Sequence, residues 1–150
     1  FGTTVSMYLP QAEETSRSEE DIYQDVMPLS RGERVLVVED DEDVRELTLN
    51  MLSSLNYDVV DASNATQAEE FLSNDSDIDV VLSDVILEGS INGAELAEKI
   101  RESHPELPIL FMSGYTQQLD PREHAVIADV PLLSKPFSRS ELAVRLREVL

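Results

Sequence analysis

Four apolar residues, Val35-Leu36-Val37-Val38, run without interruption into three acids, Glu39, Asp40 and Asp41. A mostly β-branched run with no polar alternation reads as a strand buried on both faces. Ending it in clustered carboxylates sets like charges side by side, which is unfavourable unless a cation lies among them. Oxygen-only ligands select a hard ion such as Mg²⁺. The pattern recurs downstream. Asp79-Val80-Val81-Leu82-Ser83-Asp84 again runs apolar into an acid, Ile109-Leu110-Phe111-Met112 stops at Ser113-Gly114, and Val130–Leu133 leads to Ser134-Lys135-Pro136. Acids make up 31 of the 150 residues, so a cluster of them means little by itself. Their repeated placement at the ends of the most apolar runs is what composition does not explain. Lys135 stands out because the chain has one other lysine, Lys99, on a polar helix face where it reads as solvated. An ammonium among carboxylates can pair with one and later stabilise a bound oxyanion, and the Ser113 hydroxyl can serve the same oxyanion.

Such a set is useful only if one sheet delivers every strand end to one rim. The periodicity between the apolar runs is helical. Val44, Leu47, Met51, Leu52 and Leu55 recur at helix spacing, and Asp41, Glu42 and Asp43 crowd the first turn, where the macrodipole favours anions. Tyr57–Ala62 forms a second strand, and Asn64 with Gln67 opens a helix with an inner face of Ala65, Ala68, Phe71 and Leu72. Asn92 with Glu95 caps a helix carrying Leu96, Ala97 and Ile100. Residues 117–128 give a further helix with few apolar anchors. Pro131 places the fifth strand at a sheet edge, and Ser138, capped by Glu141, starts a closing helix on Leu142, Leu146 and Val149. Five strands alternating with five helices predict an α/β fold, a doubly wound five-stranded parallel sheet with helices on both faces. In open sheets of this kind the site lies beyond the carboxyl ends of the strands.

Composition narrows the function further. A formal net charge of −20 argues against binding nucleic acid or an anionic membrane surface, each of which needs a basic face. The absence of cysteine excludes disulfides and thiol chemistry and is compatible with a cytoplasmic location. No apolar run reaches bilayer length and no signal-peptide pattern occurs. The opening on Phe1 reads as a piece of a longer chain. Residues 1–10 read as a lone strand closed by Pro10. Residues 11–33 carry seven acids and two arginines, with apolar residues confined mainly to a short helical turn around Ile22–Met27, which is linker composition. The globular part begins near Arg34.

Taken together, Val-Val-Glu-Asp-Asp, Leu-Ser-Asp-Val, Phe-Met-Ser-Gly and Ser-Lys-Pro-Phe resemble the receiver domain of two-component response regulators across residues 34–150. The resemblance implies a flavodoxin-like sheet of order 2-1-3-4-5. It implies that Asp84 accepts a phosphoryl group from a histidine, that Asp40 and Glu39 bind Mg²⁺ beside Asp84, and that the backbone carbonyl of Ile86 completes the protein ligands. Ser113 matches the hydroxyl that contacts the phosphoryl group. Lys135 matches the lysine that pairs with it, across a cis Lys135–Pro136 bond. The phosphodonor would be a histidine kinase or a histidine phosphotransfer domain, with dimer formation left open.

Two departures bear on output. Leu132 stands three places before the lysine, where the family often has an aromatic switch residue. The loop after Asp84 reads Ile-Leu-Glu-Gly-Ser-Ile-Asn-Gly, lacks the usual Met-Pro pair, and is one residue longer than the commonest version. That longer loop resembles receivers fused to sensor kinases, and residues 1–10 resemble the last strand of a kinase ATP-binding domain. Tail, linker and receiver thus read as the carboxyl end of a hybrid histidine kinase, without an ATP site of their own. His104 and His124 stand in no phosphodonor motif. A phosphorylation-independent interaction module is the alternative. A phosphatase with an aspartate nucleophile is disfavoured, because Ile86 stands where that chemistry needs a second acid.

Overall fold

The computed structural model describes residues 28–74, 77–89, 91–114 and 128–150. Its five strands are β1 (Arg34–Val38), β2 (Asp58–Ala62), β3 (Val80–Asp84), β4 (Ile109–Ser113) and β5 (Leu132–Ser134). All pair in parallel, in the order β2-β1-β3-β4-β5. Four helices lie among the described residues: α1 (Glu42–Ser54), α2 (Ala65–Asn74), α3 (Gly93–Ser103) and α4 (Arg139–Val149). Of the helix expected at 117–128 only Ala128 is described, and it is helical. The expected tail strand at 1–10 and the turn at Ile22–Met27 lie outside the described residues.

Uninterrupted apolar strands form here because each interior strand feeds two cores. Leu36, Val38, Val81 and Phe111 pack toward Ala65, Ala68 and Leu72 of α2 and Leu96, Ala97 and Ile100 of α3. The alternate residues Val35, Val37, Leu82, Leu110 and Met112 pack toward Leu52 of α1 and Leu142 and Leu146 of α4. Each large side chain so buried contributes about 1.5–3 kcal/mol, so the central strands need no help from local propensity. β5 is short and sits at the edge. It begins at Leu132 rather than at the expected Val130, although the Pro131 carbonyl already accepts the Phe111 N–H at 2.9 Å.

The helix starts follow their capping residues. Asp41 accepts the Val44 N–H at 3.0 Å, and reciprocal boxes form between Asn92 and Glu95 and between Ser138 and Glu141. At α2 the Gln67 N–H reaches Asn64 as expected, but the Gln67 side chain accepts from the backbone and hydroxyl of Ser63 instead of closing the box. Each of the first two helices has one expected inward position that faces out, while Leu52 of α1 and Ala65, Ala68 and Leu72 of α2 are buried as expected. In α1 the buried positions are Thr48 and Leu52, while Leu47 is 56% exposed; in α2 Phe71 is 37% exposed. Neighbouring helix positions differ by about 100° in phase, so Leu47 and Phe71 each lie off the stripe that Thr48, or Ala68 with Leu72, defines. Thr48 tolerates burial because its hydroxyl donates to the Val44 carbonyl at 2.8 Å. Lys99 pairs with Glu69 across α2 and α3 instead of standing alone in solvent.

Ahead of β1 the chain is tied to the end of the sheet opposite the carboxyl rim. The Ser30 N–H donates to the Leu55 carbonyl at 2.9 Å, and the Glu33 carboxylate accepts from the Ser30 hydroxyl, the Arg31 N–H and the Arg147 guanidinium. Arg147 also lies 5.9 Å from the centroid of the Tyr57 ring, within cation–π range. Burial alone would push the Glu33 carboxyl up, but these donors outweigh it and hold the group at about 2, against an ordinary 4.5. A depressed carboxyl adds stability that is present above the unfolded value and lost as pH falls toward the folded one. Glu33→Gln is therefore expected to lower stability by about 1–2 kcal/mol at neutral pH. In urea melts the gap from wild type should begin to close below about pH 4.5 and shrink steadily toward pH 2. A gap independent of pH in that window would show that the carboxylate charge contributes nothing.

Candidate functional site

Register brings three of the expected residues, Glu39, Asp84 and Lys135, together. β1 and β3 pair Val38 with Ser83, so Glu39 and Asp84 leave the sheet side by side. β4 and β5 pair Ser113 with Ser134, and the next residue, Lys135, donates its N–H to the Ser113 carbonyl at 2.8 Å. The Lys135 ammonium then donates to Glu39 Oε2 and to Asp84 Oδ2, both at 2.6 Å. Three strand ends are thereby closed on one cation. The Lys135–Pro136 peptide is cis, as expected.

The electrostatics follow from burial. Glu39 is 2% exposed, and desolvation pushes its carboxyl up, against the lowering effect of Lys135; Asp84 and Asp40 raise it further. Burial pulls the Lys135 ammonium down, but its bonds to Asp84 and Glu39 outweigh that and hold it above the ordinary lysine range. Asp40 lies apart from this pair: its Oδ2 accepts the Glu88 N–H at 3.0 Å, from the loop after β3. Asp84 Oδ1 accepts the Ile86 N–H at 3.0 Å, which fixes the plane of that carboxylate. Asp41, third of the acid run, caps α1. Among the described residues no group of three or more His, Cys, Asp or Glu side chains is gathered around a common metal position. The ammonium stands where Glu39 and Asp84 converge. The donor chemistry still fits a hard divalent ion, since Glu39, Asp40 and Asp84 bring only oxygen to one rim.

Ser113 carries a second signature. Its hydroxyl is buried and, among the described residues, has no hydrogen-bond partner. An unpaired buried hydroxyl costs about 1–3 kcal/mol.

Two positioning features were not legible beforehand. A Cβ on Gly93 would fall 2.0 Å from the Asp84 carbonyl and 2.8 Å from that of Val85, and the Gly93 N–H donates to Val85 at 3.0 Å. Only glycine lets α3 start directly against the Asp84 backbone. Arg45 of α1 reaches back to the Glu39 carbonyl at 2.8 Å. The one sequence signal for it is a cation one turn into a helix that starts in acids. Leu132 is half-buried against the core that contains Phe111, where an aliphatic side chain fills the space.

Lys135→Met should leave the buried Glu39 carboxylate uncompensated and cost about 3 kcal/mol in urea melts without divalent ions, and adding Glu39→Gln should recover most of it. Equal stability of Lys135→Met and wild type would contradict the pairing. Ser113→Ala removes the unsatisfied hydroxyl and should stabilise the domain by about 1 kcal/mol. A destabilised variant would mean that the hydroxyl has a partner in the resting fold.

Comparison with known proteins agrees with this architecture. The family model of the response regulator receiver domain matches residues 35–147. The receiver protein CpdR of Brucella abortus is 31% identical over 78% of this chain and 96% of its own length. Sensor kinase CckA of the same organism is 31% identical over 99% of this chain, and the transcriptional regulatory protein YrkP of Bacillus subtilis is 38% identical over 75% of it. The chain spans 16% of the length of CckA and 47% of that of YrkP. The crystal structure of Vibrio cholerae chemotaxis protein CheY4 superposes with a TM-score of 0.70 at 26% identity, covering 79% of this chain and 99% of that one. No helix among the described residues is long and apolar enough to cross a membrane. The chain belongs to the response regulator receiver domains, the receiving modules of two-component signalling.

Proposed function

We propose that the domain accepts a phosphoryl group onto Asp84 from a phosphohistidine and thereby switches its contact with a partner or with a kinase core. The observation that carries this reading is the Lys135 ammonium shared between Asp84 and Glu39. An Asp84 carboxylate oxygen attacks phosphorus, the P–N bond to the donor imidazole breaks, and the electron pair leaves with that nitrogen. Asp84 Oδ1 stays oriented by the Ile86 N–H during the approach. Lys135 is already in place to transfer its hydrogen bonds to phosphoryl oxygens, and the unpaired Ser113 hydroxyl supplies another donor. Bound Mg²⁺, held by Glu39, Asp40, Asp84 and the Ile86 carbonyl, would supply the divalent charge that neutralises the anions brought together there. Once Asp84 carries an acyl phosphate it has lost its carboxylate charge and Lys135 has new phosphoryl oxygens to pair with, which gives the two states different contacts.

The alignment with CckA, a sensor kinase, runs through residues 1–33 as well as the receiver. It supports reading residues 1–10 as the end of a kinase ATP-binding domain, 11–33 as an acidic linker and 34–150 as the receiver of a hybrid histidine kinase. The donor is then that kinase's own histidine or a histidine phosphotransfer domain, met in the cytoplasm.

Labelling by the parent kinase tests the proposal. Wild type should take up phosphoryl label in the presence of Mg²⁺ and Asp84→Asn none. Because asparagine keeps an oxygen for the Ile86 N–H or for Lys135, the variant should remain folded by circular dichroism. If wild type takes no label, and beryllofluoride with Mg²⁺ shifts no amide resonances near Asp84, the domain is instead an interaction module that works without phosphorylation.

A further inference from the structure

The turn that carries Glu39 and Asp40 is held by a side chain to which the proposed chemistry gives no part. Arg45 is 15% exposed and lies in the second turn of α1. Its Nη1 donates to the Glu39 carbonyl at 2.8 Å and approaches the Asp40 carbonyl at 3.4 Å. Its Nε donates to Asp61 Oδ2 at 3.1 Å, at the end of β2. The Glu39 N–H is meanwhile given to the Ala62 carbonyl at 3.1 Å. Both backbone polar groups of Glu39 are thus fixed, one on the β2 backbone and the other on a guanidinium that Asp61 orients. The Glu39 and Asp40 carboxylates hang from this pinned segment.

We propose that Arg45 is a positioning residue for divalent-cation binding, fixing the Glu39–Asp40 backbone so that both carboxylates are presented with little ordering left to do. This rests on the reading of Glu39 and Asp40 as cation ligands. Two physical effects of Arg45 have opposite signs, so they can be told apart. As a bare positive charge near the acids it repels an incoming cation, and removing it would tighten binding. As a planar fork joining two carbonyls to Asp61 it preorganises the turn, and removing it loosens binding. Lysine keeps the charge but cannot donate in the fork geometry, so it preserves the first effect and loses the second.

The test is calorimetric titration of Mg²⁺ into the folded chain, wild type beside Arg45→Lys, Arg45→Gln and Asp61→Asn, with melting curves taken without Mg²⁺. Groups that hold metal ligands in place typically govern affinity by 10–100-fold. Arg45→Lys should bind Mg²⁺ at least about tenfold more weakly, and Arg45→Gln, which also loses the repelling charge, should be weakened less than Arg45→Lys. Asp61→Asn, which leaves Arg45 in place, should be weakened less. Amide resonances of residues 39–41 should broaden in the metal-free Lys variant while those of the distant α3 stay sharp. Unchanged or tighter binding by folded Arg45→Lys overturns the proposal; if neither Arg45 variant folds, unchanged affinity in Asp61→Asn does so. Absence of Mg²⁺ binding by wild type would remove the ligand reading itself and this proposal with it. Equal binding by wild type and Arg45→Lys removes only the role of Arg45.

Discussion

A buried carboxylate is tolerable in a protein only if something compensates it, and Glu39 is the charge around which this domain is arranged. At 2% exposure it cannot be solvated as an anion, and Lys135 reaches it from nearly a hundred residues away. The same ammonium binds Asp84, so one cation ties the ends of β1 and β3 to the segment following β5. β5 itself is a three-residue edge strand with one neighbour. Under the proposed chemistry, a phosphoryl group on Asp84 would meet the Lys135 ammonium directly, because the two are already hydrogen-bonded.

The last helix is held at both ends by ion pairs of different kinds. At the carboxyl rim, Lys135 precedes α4 and is shared between two acids. At the other end, Arg147 binds Glu33 and covers Tyr57, so α4 also fixes the chain where it enters β1. The two anchors differ in what they can do. Glu33 is held by several donors and stays ionised to about pH 2, so nothing near neutrality alters it. The Lys135 anchor is divided between two acceptors, so a new ligand at either can redistribute it. One end of the helix is a fixed joint and the other a changeable one.

How much of this was legible in the sequence depends on the distance over which each feature is decided. The interior strands were legible because Val35–Val38, Val80–Leu82 and Ile109–Met112 lack polar alternation, which only burial on both faces permits. The rim was legible because strand ends are local events. Strand order and the roles at the rim came from family resemblance, since no residue pattern states which strand lies beside which. The phase of a helix was harder. Leu47 is more apolar than Thr48, yet the threonine is the inward position, because a back-bonded hydroxyl is nearly neutral to burial. Lys99, read as solvated, finds Glu69 thirty residues away, a pairing that only tertiary structure creates.

Gly93 and Arg45 show why positioning residues escape a sequence reading. Each matters through main chain elsewhere, Gly93 through the Asp84 and Val85 carbonyls and Arg45 through that of Glu39. Main-chain groups have the same chemistry at every residue, so nothing in the composition of their surroundings advertises them. Acids at a rim announce a function because like charges are costly to assemble. A glycine that lets a helix approach a strand end, or an arginine that satisfies a carbonyl, removes a cost and so leaves no such mark. The gathering of acids and a lysine at one rim was therefore readable from residue types, whereas the contacts that hold their backbone in place were readable only from geometry.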